Sequence, residues 1–173
     1  MARVIARIGF DELEPALREV LRPRVERLGY LGEFFQCAAH QPDALISLNA
    51  LTEQLRGALP DDVAEIVALT VASATGNGYE RHQHERLSLQ LGFDAEWIRQ
   101  VIALEEGGIV QRSVLALLED RGRGADVDAL AAEKGDAFAI AVLLLTGRYL
   151  MHSTVVNALG LDPPVPSPLA GDA

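Results

Sequence analysis

Apolar side chains recur every three or four residues through most of the 173-residue chain, and no stretch keeps the two-residue alternation of a half-buried strand. The pattern predicts an all-α protein. A first helix is expected from about Asp11 to Leu28, bent at Pro23, with Gly29 and Gly32 punctuating the chain beyond it. His40-Gln41-Pro42-Asp43 reads as a turn into a helix from Ala44 to Leu59. Pro60, Asp61 and Asp62 then start another: proline suits the first turn, where an N–H has no partner anyway, and carboxylates favour the positive end of the helix dipole. This helix, Pro60 to about Thr75, is apolar on nearly every side and is expected at the centre of the core.

Gly76-Asn77-Gly78 breaks the central helix, and the next is predicted from near Tyr79 to Leu91. Gly92 ends it, and Asp94 caps a helix reaching Leu104. Further helices are expected over Val110 to Glu119, Val127 to Lys134 and Asp136 to Leu159. The closing Asp162-Pro163-Pro164-Val165-Pro166-Ser167-Pro168 cannot be helical and reads as a tail or an arm on a neighbouring subunit. The organisation expected is one domain over 1–161 and a Pro-rich tail over 162–173.

With 49% apolar residues the chain can build one real core. The net charge of −10 leaves no basic stripe: Arg18, Arg22, Arg24 and Arg27 interleave with Glu14, Glu19 and Glu26. Nucleic acid and anionic membrane are therefore not expected partners. The longest unbroken apolar run, Ala137 to Leu145, is about half of a bilayer span, so no membrane helix is expected. Arg3 and Arg7 interrupt the apolar start that a secretory signal needs, and a cytoplasmic location is expected. The single cysteine, Cys37, can form neither an internal disulfide nor a dithiol pair, and reads as a small core residue.

Between Val63 and Tyr79 the only ionisable side chain of the usual acid or basic kind is Glu65, in a helix expected to be buried. An unpaired buried carboxylate is costly, so Glu65 needs a partner or a raised pKa. Glu80, His84, Leu87 and Leu91 follow at helical spacing on one stripe, which points the glutamate and the histidine inward. Across an antiparallel turn, Glu65 lies about 15 Å from the turn and His84 about 9 Å, a mismatch of roughly 6 Å that long side chains or one water can span. Glu65, Glu80 and His84 are thus expected to converge as an acid–base group. The same spacing also makes an ordinary structural pair. Glu80 and His84 could also supply two metal ligands, but His82 diverges toward solvent beside Glu85 and Arg86, so no metal site is assigned. His40 reads as a turn histidine and His152 as a core helix histidine.

Glu65-Ile66-Val67-Ala68-Leu69, then Asn77-Gly78-Tyr79-Glu80-Arg81-His82-Gln83-His84 and Gly92-Phe93-Asp94-Ala95-Glu96 resemble the signature of the carboxymuconolactone decarboxylase and AhpD-like superfamily. The resemblance spans roughly His40 to Asp162. It implies an AhpD-like helical bundle, a homo-oligomer (dimer, trimer or hexamer), and no cofactor. In the AhpD branch the motif is Cys-x-x-Cys-x-x-x-His with an upstream glutamate; by position Asn77 and Glu80 replace the cysteines, while His84 and Glu65 match the histidine and the relay glutamate. Both sulfurs are missing, so thiol peroxidase chemistry by this route is not expected. The decarboxylase branch uses cofactor-free proton and carboxylate chemistry, with which Glu80 and His84 are compatible. The expectation is a lyase-type enzyme for a small organic acid or lactone, with Glu65, Glu80 and His84 catalytic and Asn77 and Tyr79 at the substrate. The alternatives are an inactive binding or oligomeric scaffold and, third, a peroxidase working through Cys37.

Overall fold

A computed structural model of the protein describes residues 5–105 and 107–170; the first four residues, which bear on a secretory signal, and the last three of the tail lie outside the described residues. Among the described residues all regular structure is helical. They form two compact units, one up to Glu53 and one from Gln54 onward.

The first unit holds α1 (Pro15–Leu28), α2 (Glu33–Ala38) and most of α3 (Pro42–Gly57). The helix expected from Asp11 begins later, because Pro15 opens it and forces Glu14 into an extended conformation (ψ 144°). Phe10–Glu12 forms only a short 3-10 turn. The chain continues as a helix through Pro23 and stops at Gly29, whose φ of +82° is the left-handed conformation that glycine takes without penalty. The apolar stretch after Gly32 forms α2, which buries Phe34, Phe35 and Cys37. His40 does sit in a turn, its Nε2 3.0 Å from the Ala6 carbonyl.

The second unit is built around α4 (Asp61–Ala74), which packs against α5 (Gly78–Gln90), α6 (Ala95–Ile102), α7 (Ile109–Leu118) and α9 (Asp136–Leu159), with α8 (Val127–Lys134) between α7 and α9. Val63, Val67 and Val71 of α4 meet Val114, Val142 and Leu145 in the main core. The central, buried helix expected from its all-round apolar pattern is therefore present. α9 is long and apolar enough to cross a membrane, but more than half of its most apolar window is buried inside the protein. It also carries Arg148, His152 and Ser153 into the interior, and its buried face is that of a core helix.

α5 is the unusual element. Its sequence is polar on every side, yet Tyr79, Glu80, His84, Glu85 and Ser88 are buried. A helix of that composition is stable inside a protein only if its polar groups find partners there. One face is covered by the Pro-rich segment of the same chain: the Val165 carbonyl lies 3.1 Å from His82 Nδ1, and Ser167 donates to Glu85. This corrects the expectation that His82 and Glu85 face solvent, since Glu85 is buried and also pairs with Arg81 at 3.1 Å.

Candidate functional site

The turn between α4 and α5 sets the site. Gly76 takes a positive φ of 66°, and Asn77 caps α5 by accepting the Glu80 backbone N–H at 3.1 Å. The Asn77 amide nitrogen donates to Ser153 of α9 at 3.0 Å, and Asn157 donates to the Thr75 carbonyl at 3.0 Å. The start of α5 is thereby fastened to α9, and Glu80 is placed in the first turn with its side chain turned inward.

Glu65, Glu80 and His84 do converge. Glu65 is fully buried, and its Oε2 accepts from His84 Nδ1 at 2.8 Å and from Ser88 at 3.1 Å. Its other oxygen accepts from Arg56 at 2.8 Å. On the far side of the ring, His84 Nε2 lies 3.1 Å from Glu80 Oε2. The second Glu80 oxygen is 2.9 Å from Nε2 of His152. The row runs Arg56, Glu65, His84, Glu80, His152. Tyr149 walls it: its hydroxyl accepts from Arg56 at 3.2 Å, and its ring meets the His84 ring edge-on at 5.2 Å.

The charges follow from these contacts. Burial disfavours both carboxylates as anions, but His84 and Arg56 more than offset this for Glu65, whose pKa is lowered. For Glu80 burial is likewise outweighed, by His152 and His84, and its pKa falls well below the usual carboxylate range. Burial opposes the His84 cation, yet the Tyr149 oxygen, Glu65 and Glu80 hold its pKa well above the ordinary histidine value. An ionised carboxylate only accepts, so an imidazole between two of them is best satisfied with both nitrogens protonated. For His152 burial dominates, reinforced by Arg148 and His84 against the pull of Glu80, and the ring is held neutral. Arg56 is raised further into its always-charged range: burial works against it, and Tyr149 and Glu65 prevail. Cations and anions therefore alternate with no net charge along the row, which is how a buried ionic network avoids a large desolvation cost.

Two members of this row escaped the sequence reading. His152 was read as a core histidine; it is buried, but it sits on Glu80. Arg56 lies near the end of α3, and only its two contacts, Glu65 and Tyr149, reveal its role. A signal was present for His152, which falls four residues after Arg148 and three after Tyr149 on an otherwise apolar helix. Of the residues expected at a substrate, Asn77 is occupied as cap and strut, and Tyr79 is buried with its ring 6.0 Å from that of His152. Cys37 belongs to the first unit, whereas every member of the row belongs to the second.

Residues 42–119 match the sequence profile of the Carboxymuconolactone decarboxylase family. Among solved structures, the chain resembles a protein of unknown function from Agrobacterium tumefaciens, described as a candidate AhpD antioxidant-defence protein. That match has a TM-score of 0.65 and 19% identity, covering 75% of this chain and 96% of that one. It also resembles a cysteine-to-alanine variant of the debrominase Bmp8 in complex with 2,3,4-tribromopyrrole, with a TM-score of 0.75 and 16% identity over 94% of this chain and 92% of that one. At these identities the likeness shows the fold alone. No curated protein matches the chain.

Proposed function

We propose, from the match of residues 42–119 to the carboxymuconolactone decarboxylase family, that this chain is a cofactor-free acid–base enzyme of the lyase type, acting on a small organic acid or lactone. The observation that carries the reading is His84 held between the carboxylates of Glu65 and Glu80, with one transferable proton in the His84–Glu80 couple. Glu80 is the member that reaches outward, its side chain 12% exposed against 0% for Glu65.

In a decarboxylation, the C–C bond to the substrate carboxylate breaks and its electron pair moves into the adjoining conjugated acyl group as CO2 leaves. His84 Nε2 passes its proton to Glu80 Oε2, and the Glu80 carboxyl so formed delivers that proton to the carbanion, leaving Glu80 ionised and His84 neutral. Solvent reprotonates His84, and Glu65, held by Arg56 and Ser88, stabilises the imidazolium and keeps the ring oriented. Positioned proton transfer of this kind is worth about 10²- to 10⁴-fold in rate. The AhpD-type dithiol peroxidase route is unsupported, since the chain has one cysteine and that route needs two in the motif.

The test is a screen of lactones and carboxylic acids with the wild-type protein and Glu80→Gln. Turnover lost in the variant at an unchanged unfolding midpoint supports the assignment, and full activity in Glu80→Gln sinks it. One observation favours a second reading, that of a binding or oligomeric scaffold: the oxygens of Glu65 and Glu80 and the nitrogens of His84 all have partners within the chain, as in a purely structural network. No substrate turnover and no ligand-dependent thermal shift across the same compounds would favour it. Self-association is part of both readings. The exposed row Ile140, Leu144, Gly147 and Met151 on α9 is the expected seat of a second copy, since spacings of four, three and four with a central glycine let two helices approach closely.

A further inference from the structure

The acid–base reading, on which this inference rests, leaves open how Glu80 is kept in place. Glutamate has three rotatable bonds, and Glu80 sits in the first turn of α5, where its side chain could swing to water. It is held from two sides. His84, on its own helix, is 3.1 Å from Oε2, while His152, from α9, is 2.9 Å from Oε1. Both oxygens of a single carboxylate thus face an imidazole nitrogen.

The two rings differ in their surroundings. His84 lies between two carboxylates, Glu65 and Glu80. His152 meets the Glu80 carboxylate through Nε2. Around it also stand Tyr79 on α5, His84 beyond Glu80, and Arg148 one turn earlier on its own helix, the last two of them cationic. His152 is also 0% exposed. A proton on it would add a third positive charge to a buried site already holding His84 and Arg148. Its neutral form, with the hydrogen on Nε2, suits an acceptor-only carboxylate.

We propose that His152 is a positioning residue of this site: as a neutral Nε2–H donor to Glu80 Oε1, it fixes the carboxylate with Oε2 toward His84 and confines proton movement to the His84–Glu80 couple. The chemical consequence is specific. A carboxylate that loses a hydrogen bond made to its charged form becomes more basic, so without His152 the mobile proton is drawn from His84 toward Glu80. Simple packing by His152 would have no such effect.

The test uses the full chain, labelled with 15N-histidine and with 13C at the glutamate carboxyl, as wild type, His152→Leu and His152→Gln, followed by NMR across pH. Glutamine keeps an N–H donor at similar reach but cannot titrate. In wild type the His152 ring is expected as one neutral Nε2–H tautomer through the neutral range. In His152→Leu the Glu80 carboxyl midpoint is expected to rise by about one pH unit, and His152→Gln is expected to restore it. An imidazolium signal from His152 in the neutral range overturns the proposal, and this requires no variant to fold. So does a Glu80 midpoint unmoved in a folded His152→Leu protein, or one that folded His152→Gln fails to restore. None of these readouts needs a substrate. A protein that turns nothing over while giving the expected titrations would therefore sink the enzymatic reading alone.

Discussion

Glu65→Gln isolates the electrostatic term of the buried row. The substitution keeps the volume and removes one charge from a fully buried position bonded to Arg56 at 2.8 Å, His84 at 2.8 Å and Ser88 at 3.1 Å. Glutamine has one acceptor oxygen where glutamate has two, so it cannot serve both the Arg56 side and the His84 side; its NH2 must face one of these donors. Breaking a buried pair by removing one partner costs about 3–5 kcal/mol, because the other charge stays buried. The Arg56 side chain is 20% exposed and recovers some hydration, which places the expectation near the lower figure, about 3 kcal/mol. For a chain of this length that is a fall of about 6–12 °C in the unfolding midpoint. Urea denaturation followed by circular dichroism should show a lower midpoint concentration at an unchanged slope. The His84 pKa should fall in the same variant, since one of its two flanking anions is gone. A loss below about 1 kcal/mol, the range of exposed ion pairs, would refute the argument. An unmoved His84 titration would refute it independently.

Stability against pH should form a plateau with two falling limbs. Glu65 and Glu80 have folded pKa values below the ordinary 4.5, so their contribution is present above that value and is lost as pH falls through the folded ones. The depressed His152 value acts in the same direction, from its ordinary 6.5 downward. His84 is raised above 6.5, so its contribution is complete below pH 6.5 and lost as pH rises through the folded value; thermal melts of His84→Gln should lack this alkaline limb. Asn77→Ala removes the α5 cap and the strut to Ser153 together, and should cost about 1–2 kcal/mol in chemical denaturation while shifting the His84 titration. Leu144→Glu places a charge in the exposed α9 row proposed as the seat of a second copy; sedimentation is expected to give a mass above that of one chain for wild type and a lower mass for the variant, and equal masses would remove that face from consideration.

Much of this protein was legible residue by residue. α8 and α9 fall where the apolar pattern put them, and the ends of α4, α5 and α7 differ from expectation by about a residue. Their boundaries are written in local chemistry: Pro60 and the aspartates after it, the Asn77 and Asp94 caps, Gly160 in the left-handed conformation. The start of α1 was misplaced because apolar spacing continues through Glu14, while the proline next to it forbids helical geometry there. α2 was not assigned as a helix because six residues after a glycine are too few to show a period.

For the site, the sequence alone determined the three residues joined by short-range geometry. Glu80 and His84 share a stripe because a helix repeats every 3.6 residues, and Glu65 meets them because a tight turn makes α4 and α5 antiparallel neighbours. Only the tertiary structure decided the two ends of the row, Arg56 and His152, and the cover that Ser167 places over Glu85. Ser167 lies 82 positions from Glu85, and Arg56 lies 93 from the Tyr149 hydroxyl it donates to. No period or cap connects such positions. The physical reason is that a buried charge is stabilised by whichever donor the packing of other helices brings within about 3 Å, and that packing is set by the whole core.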